Sequence, residues 1–336
     1  MRVVWKCGIG ICVIALSAAL GVDATLARAA AAKQAARGAA PTKSADQGLT
    51  DPVLAGALDT HAHMGPDSVE PSPRGFDVID YAKLAKARGM RGFVIKQHFD
   101  ETAGLANIAR KEVPGVEVFG GIVLNRPVGG ISAESVQHMA KVQGGWGRIV
   151  WMPTCGNGSM VRFCPPVPVV RNGEVLPEVK EVLGVIAKTR TVDSNGELVL
   201  ATGHLPAQEA LPVLHEAQAQ GVKHMVVTHP VGSWTVAQMK EAISTGAFLE
   251  ITISTYIREH NNAGNATPGK ALVDAMKELG VEHFIISSDL GQTEMPSHPD
   301  GLAMGAKWLR SQGFTNQDLD RMLKENPARL MGLPLQ

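Results

Sequence analysis

The chain has 336 residues, 45% of them hydrophobic, and its 32 basic and 32 acidic side chains cancel to a formal charge of zero. That balance, with no basic stripe, offers no electrostatic basis for nucleic acid or an anionic membrane as a partner, and leaves a small molecule as the expected one. The length, with one low-complexity stretch near the start, favours one large domain over two.

Arg2 and Lys6 precede an apolar run from Cys7 to about Leu20, which ends near Ala27, Arg28 and Ala29. A basic start, a short apolar segment and a small-x-small site read as a signal peptide over residues 1–29. The run is shorter than the ~20 residues of a membrane span, so no stable span is expected once the signal is removed. Cleavage would take away Arg2, Lys6, Arg28 and Asp23, moving the charge from zero to −2. Residues 30–50 are Ala-rich with no apolar period and read as a flexible linker; residues 51–336 form the expected folded domain. The expected location is periplasmic or secreted. There Cys155 and Cys164, nine positions apart, are expected to form a disulfide, with unbridged thiols as the alternative.

Eight β-branched runs bounded by turn residues follow in order: Ala57–His61, Gly92–His98, Val116–Leu124, Arg148–Met152, Leu198–His204, His224–His229, Ala247–Ile253 and His283–Asp289. Helical spacing predicts helices between them over Phe76–Arg88, Ser132–Val142, Glu178–Lys188, Pro206–Gln220, Thr235–Thr245 and Pro268–Leu279. The unit of helix, Gly and apolar strand recurs as ARGMRGFVI, AQGVKHMVV, STGAFLEI and ELGVEHFII. Alternation of this kind predicts an α/β fold with parallel pairing, a TIM-type (β/α)8 barrel rather than an open doubly wound sheet. The long connection from Pro153 to about Asn195, with both cysteines and an Arg171-Asn172-Gly173 turn, reads as a lid inserted after the fourth strand.

Of 11 histidines, His61, His63, His98, His204 and His229 fall at or just past strand C-termini, where a parallel barrel gathers side chains around one mouth. His61 and His63 are two apart and share a side of an extended chain, as do Lys96 and His98. Asp289 follows the last strand. Imidazoles with one carboxylate suit zinc, with manganese, iron or nickel as alternatives, better than calcium. The remaining six histidines read as packed or solvated.

These residues resemble the amidohydrolase superfamily of metal-dependent hydrolases, over about Leu54 to Leu333. ALDTHAH is similar to its first-strand His-x-His, His204 and His229 to its fifth- and sixth-strand histidines, Asp289 in SSDLG to its eighth-strand aspartate, and ENPARLMGL to its closing helix. The resemblance implies one or two divalent ions held by His61, His63, His204 and Asp289, with His229 a further ligand or a polarising group. It also implies that Asp289 moves the proton of the attacking water, with His229 or Lys96 beside the developing charge. RIVWMPT offers neither the bridging Lys nor the Glu of two-metal members, and EVFGGIVLN has its only Glu at the strand start. Lys96 would replace it, hold an anionic part of the substrate, or pair with Asp59 or Asp289. His98 is a second-site ligand or substrate donor, and Glu250 a substrate contact or a partner for a histidine. Asp59 is expected to orient the first-strand histidines, and Asn125 and Arg126 to reach the mouth or shape a turn.

The expected activity is hydrolysis of an amide, lactone or other ester. A one-metal lyase of the same superfamily, a non-catalytic periplasmic metal- or ligand-binding protein and a redox protein using the two cysteines are the alternatives, the last disfavoured by their spacing. A homo-oligomer is compatible with the sequence.

Overall fold

The computed structural model describes residues 46–68, 73–155, 164–230, 234–262 and 269–336, with backbone alone for 259–262. The expected signal peptide and most of the linker lie outside these residues. The last residues of the linker do not hang free: Asp300 accepts from the amides of Gln47 at 2.6 Å and Leu49 at 2.8 Å. Two hydrogen bonds from Arg310 to Asp51, at 2.6 and 2.8 Å, then fasten the chain where it enters the barrel.

Eight strands form one sheet whose spatial order is their sequence order. They are β1 (Leu58–Ala62), β2 (Gly92–Ile95), β3 (Glu117–Val123), β4 (Gly147–Trp151), β5 (Val199–Ala201), β6 (Met225–Val227), β7 (Phe248–Thr252) and β8 (Phe284–Ser287). Every pair is parallel. Just past β8 the ring closes on β1, where Asp289 N donates to His61 O at 2.7 Å and His63 N to Leu290 O at 2.9 Å. The eight expected strands are all present, β1 and β4 shifted by one residue and the other six trimmed, and the fold is the expected (β/α)8 barrel.

Alternation along each strand divides the apolar residues into two cores. Leu58, Val94, Phe119, Ile149, Val199 and Ile285 fill the barrel interior, whereas their neighbours Phe93, Ile95, Val150, Leu200 and Ile286 pack outward against the helices. The helices are α1 (Val78–Ala87), α2 (Ala103–Glu112), α3 (Ala133–Ala140), α4 (Pro177–Lys188), α5 (Ala207–Ala219), α6 (Val236–Ser244), α7 (Ile253–Asn262), α8 (Lys270–Leu279) and α9 (His298–Ser311). Three of them carry no clear period in sequence. In α2 alanines do the burying, α7 is polar and starts directly from β7, and α9 contains Pro299, Gly301 and Gly305.

At the lower end, Leu330 and Met331 belong to the interior core and cap it. Arg148 donates to the Met331 carbonyl and, at 2.7 Å, to that of Glu197, and Arg91 reaches Pro334 O at 2.8 Å. Asn326, fully buried, ties the closing helix Asn326–Leu330 to the start of β8 through Phe284 O at 2.7 Å. This leaves the C-terminal ends of the strands as the only end of the barrel at which the expected site residues gather.

The insertion after β4 carries the expected disulfide, Cys155–Cys164, with Cα atoms 5.6 Å apart; residues 156–163 lie outside the described ones. Asn172 and Gly173, with φ of 53° and 82°, turn a short ribbon of Val170–Arg171 and Glu174–Val175, the left-handed pair that a two-residue hairpin loop requires. Val169, Val175 and Leu176 join the outer core.

A Cβ on Gly121 of β3 would overlap the Ile149 carbonyl and the Trp151 ring, while one on Gly104, in the first turn of α2, meets nothing within 4 Å. Gly121→Ala should therefore lower unfolding stability by about 1–3 kcal/mol, and Gly104→Ala should raise it by roughly 0.4–1 kcal/mol, both read from urea midpoints. Equal midpoints for the two variants would contradict this packing. Glu197 accepts from His224 at 2.7 Å and Lys223 at 2.9 Å and pairs with Arg190, which hold its carboxyl at about 2 despite partial burial. Its stabilisation is present above its ordinary 4.5 and is lost as pH falls from there through about 2. Glu197→Gln should flatten that stretch of the acid-stability curve; an unaltered curve would remove the group from it.

Candidate metal centre

Five histidines surround the barrel mouth in a closed circuit. Ring centroids are 5.3 Å apart for His61–His63, 5.2 Å for His63–His98, 5.8 Å for His98–His204, 5.6 Å for His204–His229 and 5.0 Å for His229–His61. They come from β1 and from the segments that follow β2, β5 and β6. Asp289, following β8, reaches across the circuit. Its Oδ1 is 3.2 Å from His61 Nε2 and 3.1 Å from His63 Nε2, and its Oδ2 is 3.9 Å from His229 Nε2. The open side of the cluster lies at His229 and Asp289, whose side chains are 24% and 13% exposed, while His61 is wholly buried.

Two backbone features aim these groups inward. His229 and Asp289 both adopt left-handed backbone, with φ of 51° and 49°, an uncommon conformation for residues with a side chain that costs on the order of 1–3 kcal/mol. Each turns the chain directly at the end of a strand. In β1 the register with β2 shifts between Asp59 and Ala62. Strict alternation would have placed Asp59 on the side of His61 and His63. It turns instead towards α1, accepting from Tyr81 Oη at 3.1 Å and from the amides of His61 at 3.2 Å and Ser288 at 2.9 Å. It thus joins β1 to β8 and holds the backbone at His61.

The protonation pattern follows from the partners. Glu250 Oε2 accepts from His61 Nδ1 at 3.0 Å, which directs the Nε2 of that ring at the centre. The carbonyl of Thr154, an acceptor only, receives His204 Nδ1–H at 3.1 Å. His98 Nδ1 meets Thr154 Oγ1 at 2.8 Å and His229 Nδ1 meets Thr252 Oγ1 at 3.1 Å. Burial pushes His63, His98 and His204 well below the ordinary histidine value and His229 to about 4, so these four imidazoles are neutral near pH 7. Burial opposes ionisation of Asp289, but His61 and His63 outweigh it and hold the carboxyl well below its usual range. His63 Nδ1 has no partner among the described residues.

Lys96 is fully buried on the interior side, 2.9 Å from His61 Nε2 and over the Trp151 ring at 5.8 Å. Burial lowers its ammonium to about 8, against the pull of Asp289 and Glu250. At the end of β4, where two-metal relatives would carry a bridging Lys or Glu, stands Trp151. Glu250 does not reach the mouth as a substrate contact: Oε2 serves His61, and Oε1 accepts from Ser287 at 2.9 Å and Thr60 at 3.4 Å. Asn125, fully buried, binds the amides of Thr154 and Cys155 through Oδ1 and gives Nδ2 to His98 O and Thr154 Oγ1, whereas Arg126 is exposed.

Does this arrangement fit a cation? Burial and Lys96 disfavour a charged His61, but Glu250 and Asp289 outweigh them and raise its pKa, so positive charge is already favoured beside Asp289 Oδ1, 3.2 Å from His61 Nε2, where a cation would take the place of that proton. Donor atoms of His61, His63 and Asp289 lie within 4.8 Å of one another, as do those of His61, His229 and Glu250. The first set fits better, because the Glu250 oxygens are already occupied. His204 belongs to the circuit but to neither set.

Sequence reasoning missed several supports. His298, set aside as packed or solvated, is buried, stacks on Tyr81 with centroids 4.0 Å apart and gives Nε2–H to His63 O at 2.9 Å. Thr154, Thr252 and Ser254 carried no motif; the only signal for the last two was their even spacing, two and four residues, from Glu250.

A divalent ion at a hundredfold excess over its Kd should stabilise the folded chain by ~2.7 kcal/mol, measured as a chelator-reversible rise in Tm, and His61→Ala should abolish that rise. A parental Tm indifferent to Zn2+, Mn2+, Fe2+ and Ni2+ would argue against the centre.

No curated protein matches the chain. Among solved structures, the organophosphorus hydrolase from Deinococcus radiodurans is similar with a TM-score of 0.55 at 15% identity, over 88% of this chain and 98% of that one. A structure described as organophosphate hydrolysis activity engineered from a weak promiscuous lactonase template gives 0.55 at 14% identity, over 82% and 96%. At these identities the likeness is one of fold. Residues 56–250 match a family of unknown function, DUF6282, and the chain belongs to that family.

Proposed function

We propose that this protein is a metal-dependent hydrolase of small ester-type substrates, lactones among them, with amides as a further class. The observation that carries the reading is the convergence of His61 Nε2 and His63 Nε2 on one oxygen of Asp289, at 3.2 and 3.1 Å, at the C-terminal mouth of a parallel barrel. The hydrolytic activities named for the two structural neighbours support it at the level of fold.

His61, His63 and Asp289 would hold the ion, with His229 and His204 as neutral imidazoles beside it. A divalent cation there supplies Lewis-acid polarisation and lowers the pKa of water from 15.7 to about 7. Asp289 Oδ2, the oxygen turned away from His61, takes the proton of the attacking water and returns it to the leaving group. Lys96 Nζ, an ammonium at neutral pH, and His229 offer N–H or charge to the oxygen that becomes negative. The low exposure of His61, His63 and Lys96 keeps competing water from these contacts.

We further propose that the chain is exported and acts in an oxidising compartment. The Cys155–Cys164 disulfide supports this, as does the amino-terminal run of residues 7–20. Among the described residues no helix is long and apolar enough to cross a membrane.

Purified protein should hydrolyse some member of a panel of lactones, carboxylic esters, amides and phosphotriesters in a chelator-sensitive way. Asp289→Asn should cost at least the ~100-fold typical of a lost general acid–base group while the fold persists by circular dichroism. Incorporation of 18O from water into the product marks hydrolysis. Carbon dioxide release without 18O would replace the hydrolase with a lyase, and metal binding without turnover of any substrate would leave a binding protein.

A further inference from the structure

β7 and the start of α7 alternate polar and apolar residues: Glu250, Thr252 and Ser254 are separated by Ile251 and Ile253. In an extended strand that period sends the two sets to opposite faces. Leu249, Ile251 and Ile253 accordingly join the core beneath the helices, and Ile253 packs on Gly305 of α9, where a Cβ would strike it. The three polar side chains turn the other way, and each meets a different residue of the candidate centre. Glu250 takes Nδ1–H of His61 from β1 at 3.0 Å. Thr252 Oγ1 lies 3.1 Å from Nδ1 of His229, after β6. Ser254 Oγ donates to Oδ2 of Asp289, after β8, at 2.7 Å.

For both imidazoles the contact uses the nitrogen away from Asp289: His61 is left with Nε2 facing Oδ1, and His229 with Nε2 3.9 Å from Oδ2. The supports are themselves anchored. Ser287 and Thr60 hold Glu250, the Thr255 hydroxyl meets that of Thr252 at 3.0 Å, and the Ser254 amide donates to Ser288 O at 3.0 Å. That last bond keeps Ser254 against the end of β8 although the chain has already entered α7.

We propose that Glu250, Thr252 and Ser254 form one positioning element, the end of β7 running into α7, whose alternate residues orient ligands contributed by three other segments and thereby set how tightly a divalent ion is held. The inference rests on the metal-dependent reading above. Imidazole and carboxylate ligands are oriented through their outer atoms, and losing such a partner typically costs 10–100-fold in metal affinity. Strand periodicity lets one segment supply all three partners, so the geometry of β1, β6 and β8 is referred to a single element.

The test is Zn2+ affinity of the full chain by competition with a chromophoric chelator, with the visible spectrum of the Co2+-loaded protein as a second readout of ligand geometry. Thr252→Val and Ser254→Ala should each weaken Zn2+ roughly 10–100-fold and shift the Co2+ bands. Thr252→Ser and Ser254→Thr, which keep the hydroxyl, should restore both, and metal-free Tm values should separate lost affinity from lost fold. If the parent binds Zn2+ and Thr252→Val and Ser254→Ala bind it equally well with parental Co2+ spectra, the positioning role is overturned and the metal-dependent reading stands. Equal losses in the hydroxyl-keeping variants would also overturn it, as general loosening. A parent that binds neither ion overturns both.

Discussion

His61 is an imidazole sealed inside the barrel with Glu250 on one nitrogen and Asp289 and Lys96 on the other. Charges buried in this way are tolerated only when each has its partner, because an uncompensated one costs several kcal/mol. Satisfying this group requires β1, β2, β7 and the end of β8 to arrive at one point with the right faces inward. The constraint therefore fixes strand register as well as side-chain placement, and a one-residue slip in any of these strands would strand a charge in the apolar interior.

Around that centre the polar contacts form two separate supports. On one side Tyr81, Asp59 and Ser288 tie β1 to β8, and His298 steadies the carbonyl of His63. On the other, Asn125 grips Thr154, which in turn meets His98 and His204. Cys155 follows Thr154 directly and its amide bonds to the same Asn125, so the disulfide loop begins at the support of two of the five histidines. The left-handed backbone at His229 and Asp289 is strain that such surroundings can hold, and both residues reach solvent.

The fold alone says little about chemistry, since parallel barrels host many reactions. What narrows the reading is the combination of neutral imidazoles, an ionised carboxylate pointed at two of them, and a buried ammonium whose affinity for its proton has been reduced. None of these improves packing over an apolar filling of the same volume. A site of this composition is what the proposed hydrolysis would need to move protons and stabilise charge.

The eight strands and most of the helices were legible from residue order, because β-branched runs and Gly-terminated helices are local signals. So were His61, His63, His98, His204, His229, Lys96 and Asp289, since a parallel barrel must bring strand C-termini to one mouth whatever the details. Sequence could not assign sides within that mouth. Asp59 shares the parity of His61 and His63 yet faces α1, because a shift of register between β1 and β2 interrupts the alternation. Glu250 could equally have met substrate; only the approach of β1 to β7 across the barrel gave it to His61. Thr252, Ser254, Thr154 and His298 acquire their roles from partners between 23 and 235 residues away or from loop backbone that carries no pattern. Periodicity is set by neighbours along the chain, whereas hydrogen-bond partners across a barrel are set by closure of the sheet, which no local stretch of sequence encodes.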